Sequence, residues 1–476
     1  MLEITPYIDE QADEPKYMQI YHYMKRQIMS GGIPAGTRLP SIRQLADSLH
    51  LSRNTVDAAY QQLHAEGYVA SRSRIGLFVC EIENDMGEMA GARIRHVPNR
   101  RDAEAEAEAT PICDIDFRHG NIDCGGFPLS LWRKLSNDVF RLTPVEALQY
   151  GERQGEIGLR RQIAQYLRHS RGVSCQAQQI VIGAGIQQLL MLLSQMIGGE
   201  RRSIAMENPG YNGARMIFRN HRLNVVSVPL EQDGMNVRRL KESGADAVYI
   251  TPSHQFPFGM VMPVAKRIQL LQWAEELDGL IIEDDYDGEF RYHTKPIPAL
   301  QGLDSTGRVV YMGTFSKSLL PSIRLSYMVL PPALLERYKA EFAVYEQTAS
   351  KLHQLTLERF MEEGHWEKHL RKIRKVYQKK HAALLAALKR AMGDRVRIIG
   401  HDSGLHLLIQ VQNGMTEAEL LEAAVGAGVK VYPTSNYWGE PAEAQDVAAL
   451  LLGFGGLSVH DIEDGIARLH DAWFHE

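Results

Sequence analysis

The chain has 476 residues, of which 44% are hydrophobic, 23% charged and 8% aromatic, with a net charge of −5. That length exceeds one ordinary domain, so two or three are expected. No stretch approaches the roughly 18 uninterrupted apolar residues of a membrane span, and the opening MLEITPYIDEQADEPK lacks the basic and apolar regions of an export signal. A soluble, cytoplasmic protein with no membrane partner is expected. Four scattered cysteines (Cys80, Cys113, Cys124, Cys175) show no CxxC spacing, so they are read as reduced thiols and no metal site is expected. The charge is uneven: residues 16–80 hold eight Lys/Arg against three acids, a net +5 that leaves −10 for the rest. A small basic module on a large acidic body directs an anionic partner to the N-terminal part.

In chain order, Tyr17, Ile20, Tyr21, Met24 and Ile28 fall at helical spacing, and Ser30-Gly31-Gly32 ends that helix. Ile42, Leu45, Ala46 and Leu49 repeat the stripe after Pro40-Ser41. Val56, Ala59, Tyr60 and Leu63 do so again after Ser52, a good N-cap, and Gly67 closes the helix. Tyr68–Ala70 and Leu77–Val79 flank the polar turn Ser71–Gly76 and predict a hairpin. Together these make a winged helix-turn-helix over residues 12–80, which would bind double-stranded DNA. Arg53, Asn54 and Thr55 stand at the N-terminal end of the third helix, where side chains reach base edges and the helix dipole faces phosphate. Ser41, Arg43, Arg72 and Arg74 are the remaining candidate contacts, to phosphates or the minor groove. Periodicity alone would also fit a plain three-helix bundle. The run GGIPAGTRLPSIRQLADSLHLSRNTVDAAYQQLHAEGYVASRSRIGLFV, however, resembles the GntR family of winged-helix regulators over about fifty residues. It departs at Ile75-Gly76-Leu77, where that family often has a glycine-rich wing tip.

Residues 81–113 lose all pattern and include AEAEAEA, so they are read as a linker. From 114 to 476 amphipathic helices alternate with short apolar runs, as a parallel α/β sheet requires. The expected strands are Ile180–Ile182, Ser203–Met206, Ala247–Thr251, Leu280–Glu283 and Val309–Met312 in a large lobe at about 150–340. Gly404–Val411, Val429–Tyr432 and Ala448–Phe454 are expected in a smaller α+β lobe at about 341–476.

Four separated motifs fit one cofactor, pyridoxal 5′-phosphate (PLP), which needs a lysine, a carboxylate at its ring nitrogen, a phosphate cup and a flat group on the ring. Lys317 lies in YMGTFSKSLLPSIRLSY, with the hydroxyls of Thr314 and Ser316 beside it and Arg324 as a phosphate clamp. Asp284 and Tyr286 follow a strand in LIIEDDYDGEF, where a carboxylate can point into the crevice outside the sheet. Gly183-Ala184-Gly185 precedes a helix starting at Ile186 and Gln187, a phosphate site of the helix N-terminus kind. Tyr211 in ENPGYNG is placed to stack on the ring, and His254 and Gln255 in TPSHQFPFG are polar ligands near it. Each motif alone has an ordinary alternative: a surface lysine, an acidic cap, a simple turn, a core tyrosine. Their shared order in one chain points to the cofactor.

Residues 114 to the end resemble a fold-type I aminotransferase, including FRHGNIDCGGFP, QYGERQGEIGLRRQIAQYLRHSRGV and GLHLLI. Joined to a GntR-type head, this is similar to the MocR/GabR family of PLP-dependent regulators. The resemblance implies that Lys317 carries the cofactor as a Schiff base, Asp284 meets the pyridine nitrogen, Tyr286 and Arg324 line the cofactor and Tyr211 stacks. It also implies a head-to-tail homodimer and a domain that senses PLP or an amine or amino acid rather than turning it over. Members that sense γ-aminobutyrate use two arginines for its carboxylate. Here Asn212-Gly213 follows Tyr211, the late loop reads Tyr432–Tyr437 and the strand Ala449–Phe454 holds none. The usual carboxylate hooks are thus missing unless Arg215 or Arg219 substitutes, and the effector is expected to be PLP itself or an amine recognised differently. The alternatives are a working aminotransferase with an appended DNA-binding head, and a DNA-binding protein whose larger part only dimerises.

Overall fold

Three helices and a hairpin form the N-terminal unit. Helix α1 (Lys16–Met29) buries Ile20, Tyr21, Met24 and Ile28, while Tyr17, expected on the same stripe, is 36% exposed at the first turn. Helix α2 (Ile42–Leu49) begins with a reciprocal cap in which Ser41 Oγ accepts from Gln44 N and Ser41 N donates to the Gln44 side chain. Helix α3 (Arg53–Ala65) is capped by Ser52, whose hydroxyl accepts from Thr55 N at 3.1 Å, and buries Val56, Ala59, Tyr60 and Leu63. Strands β1 (Val69–Arg72) and β2 (Gly76–Val79) pair antiparallel from Val69↔Val79 to Arg72↔Gly76. The wing is therefore longer and its turn tighter than the expected Ser71–Gly76 turn, because ladder hydrogen bonds extend past the apolar residues that signalled the strands.

The computed structural model describes residues 8–9, 12, 14–72, 75–81, 113–198, 203–292, 297–439 and 449–474. The chain divides into two units, Met1–Thr110 and Pro111–Glu476. The expected linker falls almost wholly on residues 82–112, and Arg74 on 73–74, both outside the described residues.

The second unit opens with the short strand β3 (Ile115–Asp116), followed by the strands of its main sheet: β4 (Ile180–Gly183), β5 (Ser203–Asn208), β6 (Asn224–Glu231), β7 (Gly234–Met235), β8 (Ala247–Ile250), β9 (Leu280–Asp285), β10 (Val309–Thr314) and β11 (Ser326–Val329). The order is β4-β11-β10-β9-β8-β5-β6-β7. The strands β10, β9, β8, β5 and β6 are parallel to their neighbours, whereas β11 runs antiparallel between β10 and β4, and β7 antiparallel to β6. The sheet is thus mixed rather than purely parallel, because β11 returns directly from the loop after β10 without a crossover helix. Both faces are covered, as buried strands of this kind require. Ile180, Ile182, Tyr311 and Tyr327 join one core, and Val181, Val310, Met312 and Met328 the other.

A four-stranded sheet completes the unit, with β12 (Val396–Ile399), β13 (His406–Val411), β15 (Tyr432–Pro433) and β16 (Ala449–Gly453) in the order β12-β13-β16-β15. The stretch expected as one strand, Val429–Tyr432, is split. β14 (Val429–Lys430) pairs parallel with β3, while β15 pairs with β16. The N-terminal segment of the unit, at 113–122, therefore belongs structurally with the C-terminal lobe, a long-range pairing that no local pattern announces. Among the described residues no helix is long and apolar enough to cross a membrane.

Candidate functional site

Lys317 sits in the loop after β10, at the carboxyl ends of the strands where α/β sheets bind ligands. Its Nζ donates to the carbonyl of His119. Burial lowers its pKa to about 8, with Asp287 pulling the other way, so an appreciable share of the amine is neutral near physiological pH. Thr314 does not face this amine freely: its hydroxyl accepts from Ser326 Oγ at 2.8 Å and lies 3.0 Å from that of Ser316. Thr314 thus braces the loop, leaving Ser316 the nearer of the two expected hydroxyls to a ligand.

Asp284 is 4% exposed at the end of β9. Tyr249 donates to its Oδ2 at 2.5 Å, and its Oδ1 is buried without a hydrogen-bond partner. Burial, aided by Asp285 and Asp287 and opposed by Tyr249, pushes its pKa up to about 7. A half-satisfied carboxylate in a dry site is costly unless a cation or donor meets it. Next to it, Tyr286 donates to the His254 carbonyl at 3.0 Å. His254 Nδ1 lies 2.9 Å from Asp287 Oδ2, a contact that makes Nδ1 the protonated ring nitrogen. His254, Asp287 and His406 present their ligand atoms within 4.8 Å of one another. Nδ1 of His254 is already engaged by Asp287, and His406 Nε2 is 3.2 Å from the Pro257 carbonyl. Both histidines thus have partners within the protein.

The glycine loop after β4 leads into the helix Ile186–Ile197, whose first turn has no side-chain cap. Gly185 has φ +106, and a Cβ there would stand 2.1 Å from Arg324 Nη2. Arg324 itself has φ +52, a conformation rare outside Gly, Asn and Asp, and its guanidinium donates to the Ala184 carbonyl at 3.2 Å. Main-chain N–H groups, a helix dipole and a guanidinium thus converge on one spot, which suits an anion. Gln187 donates to the Tyr211 hydroxyl at 3.1 Å, and the Tyr211 ring stands edge-on to Phe256 at 6.1 Å. Gln255 behaves differently from the expectation of a ligand-facing amide. Its Nε2 donates to the carbonyls of Pro209 and Phe256, and its Oε1 accepts from Phe258 N. It ties the two loops together, and its neighbour Phe256 provides the surface beside Tyr211.

The two arginines considered as substitute hooks do not serve. Arg215 is 1% exposed, donating to Ser227 Oγ at 2.9 Å, and Arg219 is exposed in the last turn of the helix Asn212–Asn220. Taken together, the site has an amine, a buried carboxylate wanting a cation and a cradle wanting an anion. PLP offers a carbonyl carbon, a protonated ring nitrogen and a phosphate, so the residues present fit it.

In the head, Arg43, Arg53, Asn54 and Arg72 are all exposed. Arg43 is 3.9 Å from Asp47, and the Arg72 guanidinium lies 4.6 Å over the Phe78 ring. Ser41 and Thr55 have structural duties instead: Ser41 caps α2, and the Thr55 hydroxyl is 2.7 Å from that of Ser52. Arg38, which the sequence placed only among the basic residues, bridges to Phe78 and covers Gly76, where a Cβ would lie 3.2 Å from its Nε. It joins Arg72 at the base of the wing.

Among known proteins, the family of bacterial regulatory proteins, gntR family, matches residues 16–79, and the aminotransferase class I and II family matches residues 115–438. A solved structure of the multiple substrate aminotransferase from Thermococcus profundus aligns with TM-score 0.70 at 26% identity, covering 80% of this chain and 95% of that one. LysN, the α-aminoadipate aminotransferase of Thermus thermophilus, complexed with N-(5′-phosphopyridoxyl)-L-leucine, aligns with TM-score 0.67 at 26% identity over 75% and 92%. Fold and site thus define a helix-turn-helix head joined to an aminotransferase-like unit. At full length the chain is 44% identical to YdeL of Bacillus subtilis (strain 168), described as an uncharacterized HTH-type transcriptional regulator, over 99% of this chain and all of that protein. It is 34% identical to the probable rhizopine catabolism regulatory protein MocR of Rhizobium meliloti, over 98% and 95%. The chain belongs to this MocR-type family of GntR-headed, aminotransferase-like regulators.

Proposed function

We propose that the chain regulates transcription by binding double-stranded DNA through its head, and that its larger unit holds PLP and senses that cofactor or an amine or amino acid that meets it. Lys317 would hold the carbonyl carbon, Asp284 the ring nitrogen, and Arg324 with the backbone at Gly185, Ile186 and Gln187 the phosphate. Tyr211, Tyr286, His254 and Ser316 would line the remainder. When bound, PLP supplies an electrophilic carbon and an electron-withdrawing ring. The chain's own contribution is to keep Lys317 partly neutral, keep a carboxylate opposite the ring nitrogen and shield both from water. The observation that carries the cofactor proposal is Asp284: buried, half-satisfied and held near neutrality. A relative that is 27% identical over 95% of each chain is named the HTH-type pyridoxine biosynthesis transcriptional regulator PdxR, which favours a PLP-related signal.

The test is direct. Purified protein incubated with PLP should acquire a visible absorption band that borohydride reduction removes, and Lys317→Ala should lack it. Wild-type protein that stays colourless would defeat the proposal. Use as a sensor rather than as an enzyme is supported by the absence of an arginine from β16. Its check is an amino-transfer assay across common amino acids and oxo acids, where sustained turnover would favour the enzyme alternative.

A homodimer, head-to-tail by family resemblance, is part of the same proposal. Large apolar side chains stand exposed in one stretch, with Leu129 at 58%, Val145 at 67%, Leu148 at 77% and Tyr150 at 90%. Patches of this kind mark association surfaces.

A further inference from the structure

The segment Phe117-Arg118-His119-Gly120 is held against the C-terminal lobe beside Lys317. Gly453 N, at the end of β16, donates to the Phe117 carbonyl at 2.8 Å, and Asn121 N donates to the Arg118 carbonyl at 3.1 Å. A Cβ on Gly453 would stand 2.3 Å from His119 Cα and 2.6 Å from the Arg118 carbonyl carbon, so the glycine is what lets the segment lie on the strand. The His119 carbonyl receives Lys317 Nζ. The His119 ring stands 5.4 Å from Phe256 and edge-on to Tyr432 and Tyr437 at 6.3 and 6.4 Å. Its Nδ1 is buried with no hydrogen-bond partner. Burial, then the charges of Lys317 and Arg118, lower its pKa to about 4, so the imidazole is neutral at physiological pH.

Arg118, one residue before the acceptor of Lys317, is exposed and makes no hydrogen bond or ion pair among the described residues. Its charge reaches both the His119 ring and the Tyr432 phenol. Neighbouring guanidiniums are committed: Arg324 to the glycine cradle, Arg171 to Asp285 at 2.6 Å and Arg215 to Ser227. The strand β16 itself brings only Ala449, Leu450, Leu451, Leu452 and Gly453. Arg118 therefore presents a guanidinium next to the strand from which one is missing.

We infer that the signal molecule is a carboxylate-bearing amine, such as an amino acid, whose carboxylate is received by Arg118 beside the His119 imidazole while its amino group faces Lys317. This rests on the proposed PLP site and narrows its ligand class, replacing the expectation of an effector without a carboxylate hook. A planar guanidinium receives a carboxylate through two parallel hydrogen bonds, which an ammonium or an amide cannot reproduce.

The test titrates PLP-loaded, full-length protein and reads the change in its visible spectrum. The ligands are the proteinogenic L-amino acids, β-alanine and γ-aminobutyrate, set against the carboxylate-free amines putrescine, cadaverine and tyramine. In wild type at least one carboxylate-bearing amine should bind more tightly than the amines. In Arg118→Gln that preference should shrink by roughly tenfold to a hundredfold, the range of a hydrogen bond to a charged group, with Arg118→Lys intermediate. The ratio of the two affinities is the readout, so a general loss of folding does not imitate the result. A ratio unchanged in Arg118→Gln, or a wild-type spectrum that no carboxylate-bearing amine perturbs, overturns the inference. A wild-type protein with no visible band would instead defeat the cofactor proposal and this inference with it.

Discussion

Asp284 shows how a single burial sets both a ligand preference and a pH dependence. Its carboxyl titrates near 7 instead of 3.8, chiefly because burial penalises the charge. A carboxyl raised on folding keeps a proton that the unfolded chain has released, so stability falls as pH rises through the window from about 4 to 7. Asp284→Asn removes that titration. In the absence of cofactor the variant should melt above wild type at pH 8 and level with it at pH 4 in a thermal-shift assay, while its affinity for PLP drops. Glu207, Glu283 and Glu289 are also pushed up to about 7 by burial, so the pH slope flattens in the variant rather than vanishing. A variant melting lower than wild type at pH 8 would contradict this account. Asp284, Lys317 and Arg324 were legible in the sequence because their roles are tied to residue type at a strand end. Arg118 and Phe256 were not, since one acts across a pairing of distant segments and the other is an unremarkable phenylalanine until Gln255 turns away from the site.

At the scale of elements, the head was readable because its helices carry a clear apolar stripe and side-chain caps, both local signals. The sheet was readable where strands alternate with helices, and unreadable at β6 and β11. β11 is four residues long, buried throughout and reached without a crossover, so its apolar run looks like the tail of the lysine loop. The split between β14 and β15 was hidden for a similar reason: which strand each half joins depends on β3 and β16, far away in sequence. The cap of α3 gives a prediction at this scale. Ser52→Ala should destabilise the head by about 1 kcal/mol, because Thr55 N loses its acceptor. Arg53→Ala, one residue later and exposed, should leave stability nearly unchanged while weakening DNA binding and reducing the salt slope by about one unit if it meets a phosphate. Chemical denaturation and binding measured across a salt series separate the two effects. Equal loss of stability in both variants would show that Arg53 supports the helix rather than the contact with DNA.

On the whole molecule, the charges and the apolar surface suggest one arrangement. The net +5 of residues 16–80 against −10 elsewhere keeps the larger unit off the polyanion and leaves contact with DNA to the head. One head has few cations, so a single half-site should bind weakly and strong binding should depend on two heads held together. The exposed residues Val145 and Leu148 lie in one short helix, Pro144–Leu148, with Leu142 exposed just before it and Tyr150 just after it. Placing charge there, as Val145→Glu with Leu148→Glu, would force carboxylates into a desolvated interface and should convert dimer to monomer in sedimentation. Linked heads gain affinity from effective concentration rather than from new contacts. The double variant should therefore lose about a hundredfold or more in affinity for a two-half-site operator, yet bind an isolated half-site as wild type does. PLP uptake by the same variant, measured alongside, reports whether a second copy is also needed to complete the cofactor site. Should the variant sediment as a dimer and bind the operator unchanged, association must occur through another face and the apolar stretch at 129–150 would need a different occupant.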